Sequence, residues 1–337
     1  MINSMHIENF KCFREFRIGL GNFNVLIGPN DSGKTAFLQA IGLASFQGCR
    51  TVGIPCDHIP VPVRNLGDEL VWEQRDGLTV RIGITASATV QGDDVLRVVF
   101  VRGRGYGSEF RMETSPGERT PTEKLFGDAV GVVQYYRFNP AVMKEDSQEK
   151  APFATDGKGL PTFLSDLLRE DRDAFQIMEQ DFRKRFPEYR IKLPRVHAND
   201  NGLVFAQREK GEWELSADSI SDGAVLYLAF LALSQRPNPP RILLIEEPEN
   251  GVHHAALEGI VKVLKAISEE KGVQLIVSTH SPYLLDFVDP GNVYVFRKGE
   301  DGAVGARQLS DFPDVEQMRK HFMTGEIWST LAEPERI

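Results

Sequence analysis

The sequence predicts an α/β protein with a mostly parallel core sheet, an antiparallel β subdomain and a short helical insertion. Three observations predict it. The apolar run Val25, Leu26 and Ile27 leads directly into the glycine-rich stretch GPNDSGKT at 28–35, as a buried strand leads into a loop and helix. The runs ILLI (242–245) and LIV (275–277, preceded by Gln274) have no polar interruptions and fit strands covered on both faces. Between 68 and 111 the pattern changes to alternation, with Leu78, Val80, Ile82 and Ile84 sharing one face, as in antiparallel hairpins.

Along the chain, residues 2–10 and 23–27 read as strands flanking a turn at Gly19 to Gly21. Ala36 to Ala44 reads as a helix with Phe37, Ala40, Ile41 and Ala44 along one side. Asp76-Gly77 and Gly92-Asp93-Asp94 mark hairpin turns, the second leading into VLRVVFV. From 161 to 186 the spacing is helical, with Phe163, Leu164, Leu167 and Leu168 followed by Phe175, Met178, Phe182 and Phe186; REDRD at 169–173 divides the pair and Pro187 ends it. Leu257, Ile260, Val261, Leu264 and Ile267 then define a packed helix closed by Gly272. A strand pair is expected near 293–309. The two ends of the chain therefore build one sheet: residues 1–60 and 200–310 form the core, 61–140 an antiparallel β lobe, 141–199 a helical insertion and 311–337 a helical tail, all in one split domain.

Composition bounds the function. With 337 residues, 41% apolar and 26% charged, the chain matches an ordinary globular protein. Its longest apolar-rich run, AVLYLAFLAL at 224–233, is too short for a membrane span, and MINSMHIENF lacks a basic segment followed by an apolar one, so a cytoplasmic location without a membrane partner is expected. Three cysteines, Cys12, Cys49 and Cys56, argue for reduced thiols, and Cys49, Cys56 and His58 lack paired metal-ligand spacing. The net charge of −9 excludes a uniformly basic nucleic-acid coat; RKRFPEYRIKLPR at 183–195 is the one local basic patch, leaving direct DNA binding open.

GPNDSGKT is G-x-x-x-x-G-K-[ST], whose backbone N–H groups converge on phosphate oxygens when a strand precedes it and a helix follows. Such a pattern arises by chance in roughly one chain in a hundred of this length, so a second signal is needed. ILLIEE at 242–247 supplies it: an apolar strand ends in two carboxylates, and ligands of open α/β sheets bind at the carboxyl ends of strands. Charge then assigns roles. Asn30, Asp31, Ser32, Gly33 and Lys34 would cradle and neutralise phosphate, Thr35 and Glu246 would hold Mg²⁺, and Glu247 would deprotonate the attacking water, making ATP and Mg²⁺ the expected cofactors. In VSTHSPYLLD, His280 ends a second buried strand, where an imidazole can hydrogen-bond a γ-phosphate.

The order GPNDSGKT, SISDG (219–223), ILLIEEPENGVH (242–253) and STHSP (278–282) resembles the ABC-type ATPase heads of the SMC, RecF and OLD group. The resemblance implies a P-loop NTPase fold in which two heads close on two ATP molecules. Ser221, Asp222 and Gly223 match the signature that caps the partner's γ-phosphate, and Lys11 in IENFKCF matches a basic residue near the nucleotide. Glu246 stands where the group usually has Asp, and Gln134 in VVQYYRFNP is the nearest counterpart of the Q-loop glutamine.

The helical stretch of roughly 25 residues is far too short for an SMC coiled coil. Beyond 310 only 27 residues remain, so no OLD-type TOPRIM nuclease domain is expected on the chain. The resemblance narrows to stand-alone, OLD-like heads of the AAA type: a Mg-dependent ATPase that dimerises around ATP and gates a separately encoded effector, such as a nuclease in anti-phage or anti-plasmid defence. A RecF-like DNA-repair ATPase and a nucleotide-sensing scaffold with little turnover are the alternatives.

Overall fold

A computed structural model describes residues 1–53, 79–87, 95–102, 108–114, 122–197, 200–207 and 213–331. The turn signals Asp76-Gly77 and Gly92-Asp93-Asp94, Leu78, Cys56 and His58 lie outside the described residues.

In chain order, β1 (Ile2–Phe10) and β2 (Phe13–Gly19) form a hairpin, followed by β3 (Phe23–Ile27) and α1 (Lys34–Val52). Next come β4 (Val80–Ser87), β5 (Val95–Arg102), β6 (Ser108–Thr114), α2 (Thr122–Ala129) and β7 (Val133–Tyr136). Then follow α3 (Pro140–Met143), β8 (Ser147–Gln148), α4 (Leu160–Glu170) and α5 (Arg172–Arg185). Short strands β9 (Tyr189–Lys192), β10 (Arg195–His197), β11 (Asp200–Asn201), β12 (Val204–Gln207) and β13 (Trp213–Ser216) lead to α6 (Asp222–Ser234). The chain continues through β14 (Ile242–Glu246), α7 (His254–Lys271), β15 (Gln274–Thr279), α8 (Pro282–Leu285), β16 (Val293–Lys298), β17 (Val304–Gln308), α9 (Val315–Met318) and α10 (Thr324–Leu331).

Two compact units result: residues 1–135, 240–246 and 271–337 form the first, and 136–239 with 247–270 the second. The SISDG segment, grouped by sequence with the nucleotide-binding core, falls in the second unit.

In the first unit, a six-stranded sheet has the order β17-β16-β3-β15-β14-β7, with β14, β15, β3 and β16 parallel and β17 antiparallel at one edge. β3, β14 and β15 are buried at every residue, as expected of strands covered on both faces. The other sheet is antiparallel, in the order β2-β1-β4-β5-β6. It holds residues 2–10, which the sequence grouped with 23–27 in one sheet. The burial of β1 explains the difference: only Ile2, Met5, Ile7 and Phe10 are buried, so the strand has one covered face and suits a sheet with an open side.

An aromatic cluster joins these layers: Phe16 packs on Phe13, Phe37 and Phe296 with ring centroids 4.5, 5.7 and 5.5 Å away. Buried Gln274, at the start of β15, accepts from Ile2 N at 2.7 Å and donates to Ile2 O and Gly21 O at 2.8 and 2.7 Å. One side-chain amide thereby bonds backbone groups at the start of β1 and in the turn before β3. Helix α1 runs longer than the sequence spacing indicated, and Gly48 permits this packing: a Cβ there would lie 2.1 Å from the Phe126 ring.

The second unit is built around α6. Residues 224–233 are buried without exception, as a helix apolar on all sides requires. Phe182 packs against Phe186, Phe205 and Tyr227 at centroid separations of 5.1, 5.9 and 6.4 Å. The break within REDRD has a cause: the Asp171 carboxylate accepts from Ala174 N at 3.0 Å and caps α5.

Candidate nucleotide-binding site

The phosphate loop lies in the first unit, between the carboxyl end of β3 and the start of α1. A Cβ on Gly28 would stand 2.3 Å from the Phe296 carbonyl oxygen, so only glycine lets the loop leave β3 against β16. Gly33 and Asp31 adopt left-handed backbone, with φ of +90° and +61°. These turns leave the first N–H groups of α1 at the loop without a side-chain cap, the arrangement that attracts anions. Burial pushes the Cys12 thiol up to about 11, so a neutral sulfur lies against Gly33, where an added Cβ would be 2.9 Å from it. Lys11, beside it, donates to Gln39 Oε1 at 2.6 Å.

Lys34 is buried. Its Nζ donates to the carbonyls of Gly28 and Pro29, both at 2.8 Å, and to Ser32 Oγ at 3.2 Å, with His280 Nδ1 at 3.5 Å. These contacts of the ammonium are to neutral oxygens and an imidazole, and an anionic phosphate oxygen is a stronger partner for it than any of them. The Thr35 hydroxyl donates to Glu246 Oε1 and the Tyr135 hydroxyl to Oε2, so both carboxylate oxygens of this buried residue are held. A cleft of about 550 Å³ opens beside the loop, with Asn30, Asp31, His280, Lys298 and Trp328 in its lining. Lys298 pairs with Asp31 at 2.7 Å, and that carboxylate raises the pKa of the lysine.

A nucleoside triphosphate with Mg²⁺ fits these residues: an uncapped helix start and a buried ammonium suit phosphate, and the Thr35 and Glu246 oxygens are the hard donors Mg²⁺ prefers.

In the second unit, Glu247 follows directly on β14 with φ of +51°, a conformation costly for a non-glycine residue and typical of functional positions. Its Oε2 accepts from Arg137 Nη2 at 2.7 Å. Ser221, Asp222 and Gly223 sit at the start of α6, where Ser221 Oγ caps the helix by accepting from Ala224 N at 3.3 Å. Asp222 accepts from Lys144 Nζ at 2.7 Å.

Comparison with known proteins accords with this geometry. Residues 1–46 match a family described as "AAA ATPase domain", and residues 133–286 one described as "AAA domain, putative AbiEii toxin, Type IV TA system". An OLD nuclease of Thermus scotoductus is 21% identical over 385 aligned residues, which span 98% of this chain and 69% of that protein. Among solved structures, the SMC head domain from Thermotoga maritima is similar with a TM-score of 0.54 at 14% identity, covering 91% of this chain and 98% of that one. The Pyrococcus furiosus Smc head with an extended coiled coil, bound to the C-terminal domain of ScpA, gives 0.60 at 11% identity, covering 95% and 98%.

The chain is similar to the ABC-type ATPase heads of the SMC, RecF and OLD group. Its fold is that of a P-loop NTPase, and the family matched by residues 1–46 is described as an ATPase domain, which supports ATPase function. No helix among the described residues is long and apolar enough to cross a membrane.

Within the head, the first unit brings Lys34, Thr35, Glu246 and His280 together. Sequence reading did not identify the residue that holds Glu246 in this unit, nor those that hold Glu247 and Asp222 in the second. On β7 it is Tyr135, the residue after Gln134, that reaches Glu246. Arg137 and Lys144 were equally unmarked, although a period-two reading of VQYYR would have put Tyr135 and Arg137 on one side of the strand.

Proposed function

We propose that the head binds ATP and Mg²⁺, closes as a dimer around two ATP molecules and hydrolyses them, and thereby gates a separately encoded effector protein, a nuclease in defence against phage or plasmid DNA. One observation carries the catalytic part: the Thr35 hydroxyl is bonded to the Glu246 carboxylate next to the buried Lys34. Mg²⁺ held there supplies charge neutralisation of the β- and γ-phosphate oxygens. Lys34 and the N–H groups of residues 30–35 bind the phosphates, and His280 hydrogen-bonds the γ-phosphoryl group. Glu247 takes a proton from the attacking water as the bond from the γ-phosphorus to the bridging oxygen breaks, leaving ADP and phosphate. Ser221, Asp222 and Gly223 of the second copy close over the γ-phosphate, and Lys11 lies near the nucleotide.

The defence setting is supported by the relatives, one described with a toxin–antitoxin system and one an OLD nuclease. Direct DNA binding through the 183–195 patch is less favoured, because several of its cations are already in ion pairs, among them Lys184 with Asp181 at 2.6 Å, Lys192 with Glu214 at 3.0 Å and Arg195 with Glu149 at 3.6 Å.

Light scattering of Glu247→Gln tests the proposal. A doubled mass is expected only with ATP and Mg²⁺ together, and phosphate release should vanish in this variant. Equal mass with and without nucleotide would remove the ATP-gated dimer, and phosphate release unaffected by the substitution would remove Glu247 as the base.

A further inference from the structure

We infer that Lys144 is a positioning residue for the signature loop, holding its backbone and neutralising Asp222 so that the start of α6 can meet phosphate; the inference rests on the dimer proposed above. Lys144 follows the one-turn helix α3, far from the loop in sequence, and belongs to none of the recognised motifs. Its side chain is 10% exposed, and Nζ donates to Ile220 O at 2.8 Å and to Asp222 Oδ1 at 2.7 Å.

Each contact has a distinct consequence. The first fixes the carbonyl immediately before Ser221, the residue whose hydroxyl also caps α6. The second concerns charge. Asp222 is the first residue of α6 and half exposed, so its carboxylate suits the helix dipole but opposes an incoming phosphate. An ammonium 2.7 Å away cancels that opposition locally. Gly251, with φ of +80°, is a neighbour of Asp222: a Cβ added to it would stand 3.4 Å from Asp222 Cβ. A largely buried lysine is costly unless paired and is a poor choice for packing alone, so its presence calls for a role that a hydrophobic residue would not fill.

The test is charge rescue in the Glu247→Gln background, read as ATP-dependent association by light scattering. Lys144→Met should weaken association on the order of ten-fold. Adding Asp222→Asn to the same chain should recover most of that loss, because it removes the charge that the lysine no longer balances; a residue that only packs would show no such recovery. Lys144→Gln keeps a donor for the Ile220 carbonyl and carries the same test if Lys144→Met fails to fold. Ser221→Arg, which obstructs the signature itself, separates the two levels. If Ser221→Arg abolishes association while Lys144→Met leaves it unchanged, or if Asp222→Asn gives no recovery, the inference on Lys144 is overturned and the dimer stands. If no ATP-dependent association is seen without these substitutions, the dimer fails and the inference with it.

Discussion

At the phosphate loop, Lys34 is held by two main-chain carbonyls and a hydroxyl from its own loop, whereas at the signature loop Asp222 is held by one lysine 78 positions away in sequence. The first arrangement is local. It is specified by eight consecutive residues, and its glycines are required by the backbone path itself. The second relies on a residue distant in sequence, Lys144, which contacts the Ile220 carbonyl and the Asp222 carboxylate. A locally built loop should be ready to bind before any partner arrives, while a tethered loop can be tuned by one substitution. Changes to the first should therefore remove nucleotide binding, and changes to the second should alter association and leave binding intact.

The sharpest way to break this contrast is Gly28→Ala. The added Cβ meets a backbone oxygen at 2.3 Å and Ser32 Oγ at 2.8 Å, and the backbone oxygen cannot rotate aside. Overpacking of this kind costs up to about 3 kcal/mol, which corresponds to roughly a hundred-fold in ATP affinity if the loop is what yields. Titration with a fluorescent ATP analogue measures it. Near-normal affinity would mean that the loop has slack, and the contrast with the signature loop would disappear.

Tyr135→Phe should have a smaller effect of a different kind. It strips the hydroxyl donor from Glu246 Oε2 in a buried setting, where an unsatisfied carboxylate oxygen costs about 1–3 kcal/mol. Denaturant unfolding should show that loss without nucleotide and a smaller one with ATP and Mg²⁺, since a bound cation offers the carboxylate another partner. An equal loss under both conditions would argue that Glu246 does not face the metal.

The same division governs how much the sequence could reveal. GPNDSGKT, the fully apolar runs of β14 and β15, and the break at REDRD were legible because each is encoded within a dozen neighbouring residues. Glu246 and Glu247 could be recognised from their strand end. What holds them could not: Tyr135 reaches Glu246 across 111 positions and Arg137 reaches Glu247 across 110, and no local periodicity marks such a pair. β1 was placed in the wrong sheet for a related reason. Its residues specify one covered face, but its hydrogen-bonded neighbour in the sheet, β4, is some 75 residues on, and the ring cluster of Phe16, Phe37 and Phe296 draws on three separate segments. Lys144 combined both difficulties, being an isolated cation in a chain where charged residues make up 26%.

The smallest expected effect lies on the basic segment of α5 and β9. Lys184 is exposed and already engaged with Asp181, which raises its pKa. Surface pairs of this type contribute little to stability and are screened by salt, so reversing Arg183, Lys184 and Arg185 together should leave ATP turnover unchanged. DNA retention is the discriminating measurement. A head that acts through a protein effector should bind duplex weakly and equally before and after the reversal. Affinity that rises with ATP, falls steeply with salt and disappears on reversal would instead identify this patch as a DNA contact, because release of counterions from neutralised phosphates produces that salt dependence.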